Sequence, residues 1–214
     1  MTKNASNIKM NRDRRDFLKK TGMLLVGGAI GQSSIASPRM TSSQNVLRVG
    51  LIGCGGRGTG AALQALQADP NTVITAMGDV FEDRLEEAYA ALNKKLPDRV
   101  KVPKERKFIG FDAYQKVVAS DVDVVLLAAP PGFRPEHLKA AVNAKKHVFC
   151  EKPVAVDVPG IRTVLEAVEK AEANKLSIVS GFCFRYEFAN RAIFQKIFGG
   201  SIGDIKAVTT FRNG

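Results

Sequence analysis

The chain of 214 residues contains no tryptophan, only three tyrosines and only two histidines. It has three cysteines, Cys54, Cys150 and Cys183. Three thiols cannot all pair, so a disulfide framework is excluded as the source of stability. None stands at metal-ligand spacing, and no metal site is expected. Each cysteine falls in a predicted strand or strand end and reads as a buried or partly buried small hydrophobe. No internal repeat or low-complexity tract is present. The N-terminal apolar run, residues 23–30, is far shorter than the roughly 20 residues of a membrane-spanning helix. It is also interrupted by Gly27 and Gly28.

The charge is lopsided, with 32 Lys and Arg against 21 Asp and Glu, a formal +11. Seven of those bases and two of those acids lie in residues 1–36, so this segment carries +5 and the remainder +6. The remaining excess is scattered, apart from Lys94 to Lys107, where acids are interspersed. No nucleic-acid motif accompanies it, and a nucleic-acid partner is not expected.

Residues 1–36 have the order of a removable signal: a basic region, a short apolar run, then small residues ending in Ser34-Ile35-Ala36. The adjacent Arg14 and Arg15 in RRDFLK resemble a twin-arginine signal. The alternative is a basic tail or an amphipathic anchor. On the export reading the twin-arginine machinery is a partner and the location is the periplasm or another compartment outside the cytoplasm. That route carries folded proteins, so a cofactor would be loaded first. Residues 37–45 are small and polar and read as a linker.

From Val46 the chain alternates short apolar runs with helical patterns. VLRVGLIG (46–53), NTVITAMGDV (71–80), KFIGF (107–111), DVDVVLLAAP (121–130), HVFCEKP (147–153) and LSIVSGF (176–182) read as strands. TGAALQALQAD (59–69), EDRLEEAYAALNKK (82–95), DAYQKVVAS (112–120), PEHLKAAVNAKK (135–146) and residues 156–175 read as helices between them. This alternation predicts an α/β fold with a doubly wound parallel sheet over 46–182. VGLIG and VVLLAA lack polar alternation, as strands covered on both faces do. Residues 187–200 read as a helix. Residues 201–214 read as a turn and a half-exposed strand with Ile205, Ala207, Thr209 and Phe211 on one side. A lone strand cannot make a sheet, so 183–214 is expected to be the beginning of a truncated α+β substrate domain, and the chain a fragment of a longer protein.

Gly53, Gly55 and Gly58 form G-x-G-x-x-G, with Gly56 and Arg57 inside the turn. The first glycine permits the tight turn, the second lets backbone approach a pyrophosphate, and the third lets helix and strand pack closely. The helix that follows offers free N–H groups to phosphate. Asp79 closes the next strand at the spacing of a ribose-binding acid. A carboxylate there repels a 2′-phosphate, which favours NAD over NADP, although Arg57 could pair with a phosphate and Arg84 lies near.

Two further stretches narrow the reading: AAPPGFRPEHLKAA (128–141), with Pro130 and His137, and HVFCEKPVAVD (147–157), with Glu151-Lys152-Pro153. With GLIGCGGRGTG, in this order and at these intervals, they resemble the Gfo/Idh/MocA family from about Leu47 onward. The resemblance implies an N-terminal Rossmann domain, a C-terminal domain with an open sheet, and a sugar or cyclitol substrate between them. It places a catalytic lysine at Lys152, near the nicotinamide and the reacting hydroxyl. It assigns Pro130 to the loop beneath the nicotinamide, Glu151 to the cofactor ribose or the lysine, and His137 to the neighbourhood of the cofactor. The alternative for His137 is a helix-surface residue. Arg185, in GFCFRY, meets either a polar substrate or only a carboxylate. The implied function is an exported oxidoreductase acting on a sugar-like CH–OH group with tightly held NAD. Two alternatives stand beside it: an NAD-dependent glycoside hydrolase, and a non-catalytic nucleotide-bound sugar-binding protein. Family members often pair through their open sheets, so a homo-oligomer is a further expectation.

Overall fold

The structure, a computed structural model, describes residues 46–211. The signal expected in residues 1–36, the linker expected in 37–45 and residues 212–214 lie outside the described part. Six strands form one sheet: β1 Leu47–Ile52, β2 Thr72–Asp79, β3 Lys107–Ile109, β4 Val124–Leu127, β5 His147–Cys150 and β6 Ile178–Ser180. All neighbours pair in parallel in the order β3-β2-β1-β4-β5-β6. Between them run α1 Gly56–Ala68, α2 Glu82–Lys95, α3 Ala113–Ala119, α4 Arg134–Asn143 and α5 Val158–Ala173. This is the predicted doubly wound fold, and its strand order reverses between β1 and β4. A crevice opens there at the carboxyl ends of the strands.

Two apolar layers cover the sheet. One joins Leu51, Leu66, Ile74, Met77, Leu85 and Leu92 under α1 and α2. The other joins Val117, Val125, Leu127, Leu138, Val142 and Val164 under α3, α4 and α5. α2 begins with Glu82-Asp83 and ends with Lys94-Lys95, charges that oppose the helix dipole at both ends. α5 is capped by Asp157, whose carboxylate accepts from Gly160 N at 2.7 Å. No helix among the described residues is long and apolar enough to cross a membrane.

Three expectations need correction. The strand predicted over 121–130 is shorter. Asp121 and Asp123 leave the apolar pattern to hold Arg48, whose Nη2 lies 2.8 Å from Asp123 Oδ1. Residues 205–211 form no strand: Ile205, Val208 and Phe211 stand exposed, and among the described residues no strand pairs with them. Cys183 is exposed at the start of a short helix, α6 Cys183–Tyr186, and is not in a strand. The helix predicted over 187–200 is α7, Phe188–Phe198.

Candidate cofactor and active site

The glycine turn follows directly from β1. Gly53 adopts φ +91°, and a Cβ there would overlap the backbone of Ala129 at the end of β4. A Cβ on Gly58 would overlap the Gly53 carbonyl oxygen, so the first turn of α1 can lie this close to β1 only with glycine. Gly55 and Gly56 differ. A Cβ at either would meet nothing within 4 Å, and Gly55 faces the crevice. Packing therefore demands glycine at 53 and 58. At 55 the open space is a cradle that a side chain would fill, as close approach of a pyrophosphate requires.

Asp79, at the end of β2, locks this turn. Its Oδ2 accepts from Cys54 N at 2.6 Å and its Oδ1 from Phe81 N at 3.0 Å. Burial and the Asp79 charge push the Cys54 thiol well above its usual range, so it stays protonated and unreactive. Burial likewise pushes Cys150 up to about 11.

The crevice has a volume of about 630 Å³. Gly53, Gly55, Arg57, Asp79, Arg84, Pro130, His137, Glu151 and Lys152 all line it, so one concavity gathers nearly every residue singled out above. Gly56 faces the adjoining smaller hollow between α1 and α2. Arg185 does not line the crevice. Its guanidinium sits 5.5 Å from the Phe182 ring on exposed α6. The lining carries the cations of Arg57, Arg84, Arg134 and Lys152 against the carboxylates of Asp79 and Glu151. That surplus of two positive charges suits a pyrophosphate. No group of three or more His, Cys, Asp and Glu among the described residues could hold a metal.

Glu151 follows β5 and is only 5% exposed. Arg57, in the first turn of α1, donates from Nε to Glu151 Oε1 at 2.6 Å. The Arg57 side chain is 49% exposed, so solvent screens the attraction and the bond is worth less than in a fully buried pair. Lys152 is exposed at the rim of the crevice, where its ammonium can reach a ligand.

His137 is buried, 8% exposed, and not on a helix surface. Its ring stacks on Tyr114 with centroids 4.3 Å apart, and Phe133 lies 6.1 Å away. Burial pushes it down to about 4, so the imidazole is neutral in the fold. In the unfolded chain it takes up a proton near its ordinary value of 6.5. Between these values the unfolded state binds more protons, so the stability that neutral His137 contributes is present above the unfolded value and is lost as pH falls toward the folded one. That loss amounts to about 2–3 kcal/mol at the low end. His137→Phe is expected to remove this slope, which urea unfolding at about pH 7 and about pH 4.5 would show as a smaller drop than in the unaltered protein.

Sequence reasoning missed Arg134. It opens α4, is 5% exposed and lines the crevice. It donates from Nη1 to the Pro153 carbonyl oxygen, while its Nε is buried with no partner among the described residues. Burial lowers its pKa, and the neighbouring Cys150 and Glu151 oppose that shift. Through this contact the start of α4 holds the turn that carries Lys152. One signal was available: a cation in the first turn of a helix opposes the dipole and calls for a specific anchor. The rings of Phe81, Phe111, Tyr114 and Phe133 were missed as well, and they form the apolar walls.

The model of the GFO_IDH_MocA family, an oxidoreductase family with an NAD-binding Rossmann fold, matches residues 47–178. Myo-inositol 2-dehydrogenase from Thermotoga maritima is 29% identical over 157 residues, which cover 73% of this chain and 42% of that protein. The crystal structure of scyllo-inositol dehydrogenase from Lactobacillus casei with bound cofactor NAD(H) and scyllo-inositol is similar at a TM-score of 0.60 and 26% identity. The match covers 74% of this chain and 43% of that one. A 3-ketoreductase from Actinomadura kijaniata in complex with NADP gives a TM-score of 0.60 at 28% identity, covering 76% and 47%. The chain spans less than half the length of the curated relatives it matches.

Proposed function

This chain belongs to the Gfo/Idh/MocA oxidoreductase family with an NAD-binding Rossmann fold, and on that premise we propose that its crevice holds a nicotinamide dinucleotide and that the intact protein oxidises or reduces a CH–OH group of a sugar or cyclitol. One observation carries the reading. The open cradle at Gly55, the Asp79 carboxylate and the Lys152 ammonium line a single crevice at the reversal of strand order.

Gly55 and the N-terminus of α1 would receive the pyrophosphate. Asp79 would accept from ribose hydroxyls and repel a 2′-phosphate. That supports NAD as the preferred cofactor, although relatives have been seen with NAD(H) and with NADP. Bound nicotinamide supplies or takes up the hydride. The protein's own part is orientation and proton handling. The Lys152 ammonium donates to the reacting oxygen and stabilises negative charge as it develops there. Arg134 anchors the turn that presents it. Neutral His137, stacked on Tyr114, adds no charge to that wall.

The experiment is a panel of cyclitols and aldoses, myo- and scyllo-inositol included, given with NAD to the intact protein while the reduced-nicotinamide absorbance is followed. A rise with one member supports the oxidoreductase. Aglycone release from a chromogenic glycoside without net reduced nicotinamide would instead support the hydrolase. Neither signal, with NADH bound, would leave the non-catalytic binder.

Export in folded form with the cofactor held is also part of the proposal, and it rests on the order of residues in 1–36. Replacing both Arg14 and Arg15 with lysine is expected to retain the protein in the cytoplasm. Cell fractionation followed by immunoblotting checks this, and export at the unaltered level would contradict it.

A further inference from the structure

The Arg57–Glu151 pair joins two turns that lie far apart in the sequence. Arg57 belongs to the glycine turn after β1, and Glu151 to the turn after β5. β4 lies between β1 and β5 in the sheet. The link from one turn to the other therefore has to pass the carboxyl end of β4, whose Ala128, Ala129 and Pro130 also line the crevice. Both partners line that crevice.

Each end of the link is held differently. The Glu151 backbone N donates to Leu127 O at 3.0 Å, and its carboxylate lies against Gly181, where a Cβ would stand 3.1 Å from Oε2. Its side chain is packed from behind and accepts its hydrogen bond from Arg57. Arg57 is half exposed, and its Nη2 donates to Gln64 Oε1 at 3.2 Å, also on α1. Arg57 is thus the end that can move and Glu151 the end that cannot. Moving Arg57 away strands a buried carboxylate without its partner, which is costly, so the closed arrangement is the resting one.

We propose that Arg57 and Glu151 form a strap across the crevice that sets how long a bound dinucleotide stays. This rests on the reading of the crevice as the dinucleotide site. A ligand beneath the pair leaves only when Arg57 swings off Glu151, so release is limited by the opening of a partly buried charge pair. Cutting either end should speed dissociation, because truncating one partner of such a pair acts chiefly on the off-rate. Long residence is also what a protein that must carry its cofactor through export requires.

The test is NADH release from the protein, followed by stopped-flow nicotinamide fluorescence after mixing with excess unlabelled NAD. Arg57→Met and the near-isosteric Glu151→Gln should each raise the off-rate about tenfold, and the double variant should add little, since one interaction is lost in all three. Arg57→Lys, which keeps the charge but not the guanidinium, should fall between. The opposite arrangement makes Glu151 a competitor that withholds Arg57 from the phosphates. In that case Glu151→Gln would slow release and tighten NADH binding, and that result would overturn the strap. Off-rates within about twofold of the unaltered protein in both single variants would overturn it too, given unchanged melting temperatures. If the unaltered protein binds no NADH, the reading of the crevice fails and the strap with it; rapid, variant-insensitive release fails the strap alone.

Discussion

Gly58→Ala is expected to remove dinucleotide binding and to destabilise the domain by about 3–5 kcal/mol, a large share of the roughly 5–15 kcal/mol that holds a domain folded. The reason is geometric. The new methyl group would overlap the Gly53 carbonyl oxygen, a backbone atom with no rotamer to retreat into. Gly53 cannot yield either, since it is pressed against Ala129 and held by its N–H donating to Gly78 O at 2.9 Å. α1 would have to lift off β1, and the N–H groups at its start would no longer face the crevice. Gly55→Ala is the informative contrast, because its methyl group enters open space. It should leave urea unfolding within about 1 kcal/mol of the unaltered protein and still weaken NADH binding. Urea unfolding and NADH titration on both variants check the pair. Equal NADH affinity in Gly58→Ala and the unaltered protein would contradict the account.

Lys152→Met should separate binding from chemistry. The side chain is exposed at the rim and makes no hydrogen bond among the described residues, so stability should change by less than about 0.5 kcal/mol. NADH affinity should stay within about threefold, while turnover of the substrate found by the panel drops about 10³-fold, the range for loss of a proton-handling group. A drop in turnover matched by an equal loss of NADH affinity would make Lys152 a binding residue only. Arg134→Met tests the support beneath it. Loss of the contact to Pro153 O should lower turnover without changing which substrate is taken.

Much of this was legible along the chain because it is local. The glycine turn, Asp79 one strand later and the apolar runs VGLI of β1 and VVLL of β4 each carry their meaning within a few residues of themselves. The parallel sheet follows from their alternation with helices. What was not legible is what depends on distant parts of the chain. His137 is buried because Tyr114, on a different helix, stacks on it. Arg57 meets Glu151 across 94 residues, and no spacing rule relates them. Arg134 opens its helix against the dipole, but nothing near it in the sequence names the Pro153 carbonyl as its anchor. The strand expected over 205–211 failed for the same reason in reverse. Alternation is a local signal, whereas a strand exists only beside a partner.

The central claim is that the crevice binds a nicotinamide dinucleotide. It is tested most directly by titrating the protein with NADH and following nicotinamide fluorescence, which no tryptophan in this chain can obscure. The account predicts a saturable enhancement that ends at one NADH per chain and is reversed by excess NAD. No saturable change up to about 1 mM NADH, an affinity weaker than about −4 kcal/mol, would contradict it.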